Sequence, residues 1–280
     1  MSHFSVGVII DGKTLDEMVD KAVAKFEIAK ETEATEEEIS KARFYGITRL
    51  VEGALSPFYE ELDVEPYLDT TRQEVEDKFN QVVNYDGEDE WYLKLKEKYK
   101  DFSLEDFATE FYGAGLTEEG IMSTYNPNSK WDWYVIGGRW AGCLKKKGEK
   151  ASKESVSNYD DDKNSYAKIK DIEFVEEISE EKRKALKEKY AELIEKGSFY
   201  TAEYYKEKYP TYEDYEKDSI TFTTYALLTS DGKWHEPGKM GWFGCNSAKP
   251  EDEARFKTNY NELIAKENPE NYFVLVDCHI

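Results

Sequence analysis

Apolar and polar positions along the chain follow two periods, one typical of strands and one typical of helices. Strand-like runs occupy residues 4–10 (FSVGVII) and 272–280 (YFVLVDCHI), at opposite ends of the sequence. A third run, WDWYVI at 131–136, has the aromatic and β-branched content of a strand. Residues 219–244 alternate around the dipeptide DG at 231–232, which is typical of a tight hairpin turn. These runs predict one sheet built from both termini and the middle of the chain.

Helical spacing of apolar residues accounts for much of the remaining chain. Two segments, Thr14–Glu17 and Thr35–Glu38, fit a capping box, in which a threonine hydroxyl and a glutamate carboxylate satisfy amides at a helix start. A helix is expected over 175–196, and another opens at Pro250, because proline is tolerated in the first turn. We therefore expect an α+β fold with an antiparallel or mixed central sheet, helices on one side and acidic helical insertions.

Composition predicts how the chain is divided. Residues 1–144 and 219–280 are expected to form the α+β core, which includes an acidic helical region at 70–112. Residues 145–218 are expected to form a polar loop and helical insertion, because 145–171 mixes charges and has few apolar residues.

The charge balance is strongly acidic. With 38 lysine and arginine residues against 60 aspartate and glutamate residues, the formal net charge is −22. Such a surface repels nucleic acid and anionic membranes, so neither is expected as a direct partner. It suits a soluble protein, a protein that docks on a basic partner, or a mimic of DNA, and these interpretations stay open. No run approaches the roughly 20 apolar residues of a membrane span.

The cysteine pattern and the motif content indicate a compartment but no reaction. Cys143, Cys245 and Cys278 are scattered and form no CxxC pair, which argues against a disulfide framework and favours a reducing cytoplasm. The N-terminus has no basic region or cleavage site of a signal peptide. The sequence contains no phosphate-loop, dinucleotide-binding, zinc-protease or nucleophile-elbow motif. We expect no cofactor and no bound metal, and whether the chain is an enzyme stays open.

The segment NSKWDWYVIGGRWAG (128–142) has two interpretations. In the structural one, the paired glycine forms a bulge between strands and the tryptophan rings cover it. In the functional one, the glycines let backbone amides and the following arginine approach an anionic group, while tryptophan faces stack on a ligand. The candidate ligand-binding residues are Trp131, Trp133, Gly137, Gly138, Arg139 and Trp242.

The chain has three histidines, His3, His235 and His279. If the first and last strands pair antiparallel, His3 and His279 come close together, and Asp277 shares a strand face with His279. His235, just beyond the predicted hairpin turn, would complete a catalytic cluster able to bind a divalent metal or to carry out acid–base chemistry. Alternatively, the two terminal histidines are hydrogen-bonded residues at a sheet edge. Cys278 is expected to face away from His279, which disfavours a nucleophile pair.

The segment SFYTAEYYKEKYPTYEDYEKD (198–218) interleaves aromatic residues with charges. Buried, these rings would form part of a core; exposed, they would mark a partner site. The candidate partner-binding residues are Tyr204, Tyr205, Tyr209, Tyr212 and Tyr215.

Five stretches together resemble an uncharacterised family of phage and prophage proteins: SHFSVGVI, LSPFYE, YNPNSKWDWYVIGGRWAG, GKWHEPGKMGWFG and VLVDCHI. The KWDWY–GGRW block is the specific part of the match. The resemblance implies a phage-borne accessory protein that acts in the bacterial cytoplasm, and it assigns no catalytic residues. Phage accessory proteins often inhibit host defence, so by analogy this class is favoured.

Two functions are therefore expected. The first is a phage-encoded accessory protein that binds and inhibits a host defence protein or complex through acidic, aromatic-rich surfaces, without turnover. The second is a small enzyme or binder of a nucleotide or other anion, in which Arg139 holds charge and the three histidines carry protons or a metal. Formation of a homo-oligomer stays open.

Overall fold

The first and last strands of the chain pair with each other along their whole length. The computed structural model describes residues 2–148, 165–241 and 245–280. In it β1 (His3–Ile10) and β8 (Tyr272–His279) are antiparallel, with His3 directly opposite His279. All residues of β8 are buried. This strand pair forms the centre of the main sheet.

Shorter strands extend the sheet on both sides of this pair. β6 (Ala226–Leu228) lies parallel to β1, and β7 (Trp234–His235) pairs antiparallel with β6 in the predicted hairpin. β4 (Trp133–Ile136) and β5 (Tyr166–Lys168) pair antiparallel with successive parts of β8. The order is β4-β8-β1-β6-β7, with β5 also on β8. The predicted α+β class with a mixed sheet is therefore confirmed.

Helices pack against both faces of this sheet. α1 (Gly12–Lys30) and α2 (Glu36–Leu55) form a core with one face, and α9 (Pro250–Lys266) forms a second core with the other. The expectation of helices on one side was thus incomplete.

The alternating side chains of β8 explain why two helical layers are needed. Val274, Val276 and Cys278 point into the core formed by α1 and α2, whereas Phe273 and Leu275 point into the core formed by α9. A strand that is apolar on both faces must be covered on both faces.

The helix starts show how local hydrogen bonds decide element boundaries. Asp11, and not Thr14, caps α1: its carboxylate accepts from the Thr14 amide at 2.7 Å, so Thr14 lies inside the first turn. The second capping box is confirmed, because Thr35 and Glu38 exchange both expected hydrogen bonds at the start of α2. Within the described residues, no helix is both long and apolar enough to cross a membrane.

The segment expected to form one insertion, 145–218, is divided in the structure. Residues 149–164 lie outside the described part of the chain, whereas Tyr166–Lys168 forms β5 of the main sheet. The helices that follow are α6 (Glu180–Lys196), α7 (Ala202–Lys208) and α8 (Tyr212–Ile220). The chain separates instead into one unit of Met1–Tyr59 with Lys130–Ile280 and a second unit of Glu60–Ser129. The predicted boundaries placed β5 outside the core because local polarity does not reveal that this strand pairs with β8.

The second unit has a core of its own. β2 (Tyr67–Thr71) pairs antiparallel with β3 (Gly120–Ser123). Three helices lie between these two strands in the sequence, namely α3 (Arg72–Val83), α4 (Glu90–Tyr99) and α5 (Leu104–Tyr112). Their buried side chains, with one from β3, are Val75, Val82, Tyr99, Phe107, Ala108 and Ile121. The acidic region at 70–112 is helical as expected, and it belongs to a separately packed unit.

Two glycines offer a matched test of this packing. A Cβ on Gly7 of β1 would lie 2.4 Å from the ring of Phe273, which is fully buried. Gly53 of α2 is exposed, and a Cβ there would meet nothing within 4 Å. We expect Gly7→Ala to lower the free energy of unfolding by about 1–3 kcal/mol through overpacking. Gly53→Ala should raise it by about 0.5–1 kcal/mol through helix propensity. Denaturant titrations measure both, and a stable Gly7→Ala protein would contradict the packing.

Candidate functional site

Four ionisable side chains meet at the end of the main sheet where β1 begins and β8 ends. The rings of His3 and His279 lie 5.0 Å apart between centroids, at an interplanar angle of 76°. His3 Nδ1 is 2.8 Å from Asp277 Oδ1. His279 Nδ1 is 2.7 and 2.9 Å from the two carboxylate oxygens of Asp132. Each imidazole is therefore held by its own carboxylate, and we call these four residues the histidine–aspartate cluster.

The cluster is largely removed from solvent. Asp277 and His279 expose 3% and 5% of their surfaces, and the His3 side chain exposes 11%. Asp132, at 34%, is the most accessible member. Nε2 of His279 is buried and has no hydrogen-bond partner among the described residues. Buried polar atoms are nearly always paired, so this nitrogen marks a position where a further group would be stabilised.

Trp133 provides the aromatic surface of the cluster. Its ring stacks on His279 at a centroid distance of 4.9 Å and an angle of 16°, and it meets His3 edge-on at 5.1 Å. The residue is 41% exposed. Of the predicted stacking residues, Trp133 thus combines contact with both imidazoles and an accessible surface.

The paired glycine brings the backbone onto Asp277. Gly137 and Gly138 have φ angles of 73° and 53°, in the left-handed region that favours glycine. The amide of Arg139 donates to Asp277 Oδ2 at 3.0 Å. A Cβ on Gly138 would lie 2.4 Å from the Asp277 Cβ. The paired glycine thus leads into a 3₁₀ turn, Gly138–Trp140, and does not form a bulge between two strands. The anionic group that its backbone approaches is a carboxylate of the protein itself.

The Arg139 side chain is exposed, and in the part of the chain that the structure describes no carboxylate forms an ion pair with it. Its amide is hydrogen-bonded to Asp277, so Arg139 lies beside the cluster. A guanidinium in this position adds one positive charge next to the two carboxylates.

His235 does not join the cluster. It lies on β7 opposite Leu227, and β7 is separated from β1 by β6. Leu227 is level with Gly7, four positions along β1 from His3. That places His235 about 13 Å along the strands and about 10 Å across them from His3. Burial lowers the pKa of His235, whose Nε2 lies 3.4 Å from Thr229 Oγ1.

Two predicted tryptophans are placed differently from Trp133. Trp131 is 7% exposed; its Nε1 donates to the Leu55 carbonyl at 3.1 Å, and its ring packs against Tyr59 and Tyr134. Its faces are covered by the core, which removes it as a stacking platform. Trp242 lies outside the described residues.

The metal and nucleophile interpretations find little support in this geometry. Among the residues that can be described, no three His, Cys, Asp or Glu side chains are arranged to hold a metal ion. Cys278 faces the opposite side of the sheet from His279, as expected, and it is fully buried. Burial raises the pKa of its thiol well above the usual value, which keeps it protonated and unreactive.

The tyrosine-rich segment is mostly packed and not displayed. Tyr215 is buried, and the other four candidates, Tyr204, Tyr205, Tyr209 and Tyr212, are half-buried. Tyr212 and Tyr215 pack against Tyr190 of α6. The accessible rings are instead Phe199 and Tyr200, which are 86% and 51% exposed in the connection between α6 and α7. They directly precede Thr201, the N-cap of α7, and lie outside any helix. This position before a helix start was the sequence feature that could have identified them as exposed.

Sequence reasoning also missed Asp132. Its amide donates to the His279 carbonyl at 3.0 Å, which continues the pairing of β4 with β8 by one residue and brings its carboxylate to the imidazole. Its position between two tryptophans in the WDW triplet was the only local indication.

In comparisons with protein-family models, curated proteins and solved structures, nothing matches this chain.

The contact between the glycine turn and Asp277 can be tested with a matched pair of substitutions. Gly138→Ala introduces both a disfavoured positive φ and a clash with Asp277, whereas Gly142→Ala, at φ 76°, meets nothing within 4 Å. Both should lose about 1–2 kcal/mol from the backbone conformation. Gly138→Ala should lose about 1–3 kcal/mol more from overpacking. Equal destabilisation of the two variants in denaturant titrations would show that the turn does not press on Asp277.

Proposed function

We propose that the protein binds a small ring-bearing ligand at the histidine–aspartate cluster and exchanges a proton with it. One observation carries the proposal: two carboxylate-held imidazoles lie 5.0 Å apart beside the accessible ring of Trp133. Imidazole is the side chain whose ordinary pKa lies closest to neutrality, so it can both accept and donate a proton there.

The carboxylates support this role. A carboxylate on Nδ1 fixes the orientation of an imidazole and stabilises the imidazolium that forms when Nε2 takes up a proton. Here Asp132 serves His279 and Asp277 serves His3. Trp133 offers a stacking surface, which suits an aromatic or heterocyclic ligand. Arg139 supplies a positive charge at the rim.

The origin of these residues in the sequence also supports the proposal. His3 comes from SHFSVGVI, Asp132 to Arg139 from KWDWYVIGGRW, and Asp277 and His279 from VLVDCHI. These are three of the stretches that resemble phage and prophage proteins. The residues are far apart in the chain, yet they lie in contact with one another in the folded protein.

Ligand titrations test this function. Nucleosides, nucleotides and aromatic amines would be screened by thermal shift, and binders measured through tryptophan fluorescence. Trp133→Leu and His279→Gln should each weaken binding by about tenfold or more, equivalent to the loss of a stacking or hydrogen-bonding contact. His235→Gln is the matched control and should bind as the unmodified protein does. A binder that responds equally to all three substitutions lies elsewhere on the protein.

A second candidate function rests on the exposed pair Phe199 and Tyr200. Their rings lie 4.9 Å apart on the surface of a chain whose formal net charge is −22. Aromatic residues are enriched in protein interfaces, and an acidic surface accelerates association with a basic one. We propose on this basis a phage-borne accessory protein that docks on, and inhibits, a host defence protein or complex.

The docking proposal is tested by comparing two variants in host lysate. The double variant Phe199→Ser/Tyr200→Ser should lose a bound protein that the unmodified chain retains at low salt, and high salt should weaken that binding because surface charges are screened. Ile28→Ser, at a residue 81% exposed on α1, is the control for removing an exposed apolar side chain. Retention of the same proteins by all three chains would argue against docking through this pair.

A further inference from the structure

We infer that the cluster selects a ligand that donates a hydrogen bond, namely a neutral ring compound with hydroxyl groups such as a nucleoside, over an anionic ligand. The inference rests on the proposed ligand-binding function and specifies the chemical class of the ligand. It follows from the positions of the protons on the two imidazoles and from the charge that surrounds them.

The carboxylates determine which ring nitrogen is protonated. An ionised carboxylate accepts hydrogen bonds and has no hydrogen to donate, so its imidazole partner must supply the proton. In both rings the nitrogen next to the carboxylate is Nδ1, at 2.8 Å in His3 and at 2.7 Å in His279. In a neutral imidazole the other nitrogen, Nε2, then carries a lone pair and accepts hydrogen bonds.

His279 shows the consequence most clearly. Its Nε2 is buried and has no partner among the described residues, so within this part of the chain its lone pair is unused. A ligand hydroxyl would donate to this nitrogen directly. An anionic oxygen has no proton to offer, and it would be repelled by the lone pair unless the imidazole were first protonated.

The surrounding charge favours the same class of ligand. Asp132 and Asp277 place two carboxylates against the rings. Arg139 contributes one exposed guanidinium beside them. With neutral imidazoles, two carboxylates and one guanidinium leave the site with a net negative charge. In a chain of net charge −22 the wider field also opposes an approaching anion.

The placement of Trp133 adds a requirement on ligand size. One face of its ring stacks on His279 at 4.9 Å, so a ligand ring that stacks on the other face lies beyond the tryptophan. The hydroxyl that reaches Nε2 must therefore belong to a second part of the ligand that extends past the ring edge. A nucleoside has this form, with a planar base and a hydroxylated sugar.

Nitrogen NMR tests the protonation pattern in the intact protein, which has three histidines. Long-range proton–nitrogen spectra of uniformly ¹⁵N-labelled protein should show the proton on Nδ1 of His3 and of His279 when the rings are neutral. Asp132→Asn should change the pattern of His279 but not of His3, and Asp277→Asn the reverse. A proton on Nε2 of His279 in the unmodified protein would overturn the inference.

Titrations with the four common ribonucleosides, their 5′-monophosphates, and their 2′,3′-dideoxy and 5′-deoxy forms test the ligand class. At least one nucleoside should bind about tenfold or more tightly than its monophosphate and than one of its two deoxy forms, and should shift the Nε2 resonance of His279. Trp133→Leu should abolish this preference, and His235→Gln should leave it unchanged. Because Trp133 is partly exposed on an edge strand, its variant is expected to fold.

The outcomes separate this inference from the proposed function. If monophosphates bind more tightly and Trp133→Leu removes that binding, the cluster is a ligand site but the donor inference is wrong. If the 2′,3′-dideoxy and the 5′-deoxy forms both bind as well as the nucleoside, the hydroxyl contact is absent and the inference is again wrong. If no member of the panel binds, the inference falls, and the proposed function falls with it once the aromatic amines of the wider screen also fail.

Discussion

The antiparallel register of β1 against β8 is the constraint on which the rest of the structure depends. It places His3 opposite His279 and sends alternate residues of β8 into two different cores. A slip by one residue would exchange the two faces of a strand. His279 would then face the core under α1 and α2, and Cys278 would take its place in the cluster. Because α1 and α2 cover that face with apolar side chains, such a slip would place Asp277 and His279 in an apolar core.

That register creates a polar site at the end of an otherwise apolar strand pair. Buried ionisable groups are tolerated when each has a partner, and here the partners come from three distant parts of the chain. Asp277 holds His3 on the neighbouring strand, Asp132 holds His279, and the Arg139 amide completes the bonding of Asp277. The glycine turn is the geometric condition for this arrangement, since a side chain on Gly138 would occupy the space of Asp277. The incomplete bonding of His279 Nε2 is therefore an exception within a site that is otherwise satisfied.

The exposed aromatic pair on the acidic chain and the histidine–aspartate cluster are separate features, and each carries a separate proposal. Tyr209, Tyr212 and Tyr215 pack against one another or against Tyr190 of α6, whereas Phe199 and Tyr200 form an exposed aromatic pair. These two residues belong to a helix connection, whereas the cluster belongs to the sheet. The proposed ligand binding at one and the proposed docking at the other can therefore be altered independently.

The sequence by itself determined the α+β class, the strands at both termini, the hairpin at 231–232 and the helix starting at Pro250, because these depend on local periodicity, turn residues and capping. It also placed Asp277 and His279 on one face, since side chains alternate along a strand, whereas the position of His3 beside them depended on antiparallel pairing of the terminal strands. Only the tertiary structure decided that Asp132 completes the cluster, that His235 lies two strands away, that Trp131 is buried, and that 60–129 forms a unit of its own. These outcomes depend on strand order and on which surfaces pack together, and neither is encoded in the spacing of residues within a single segment.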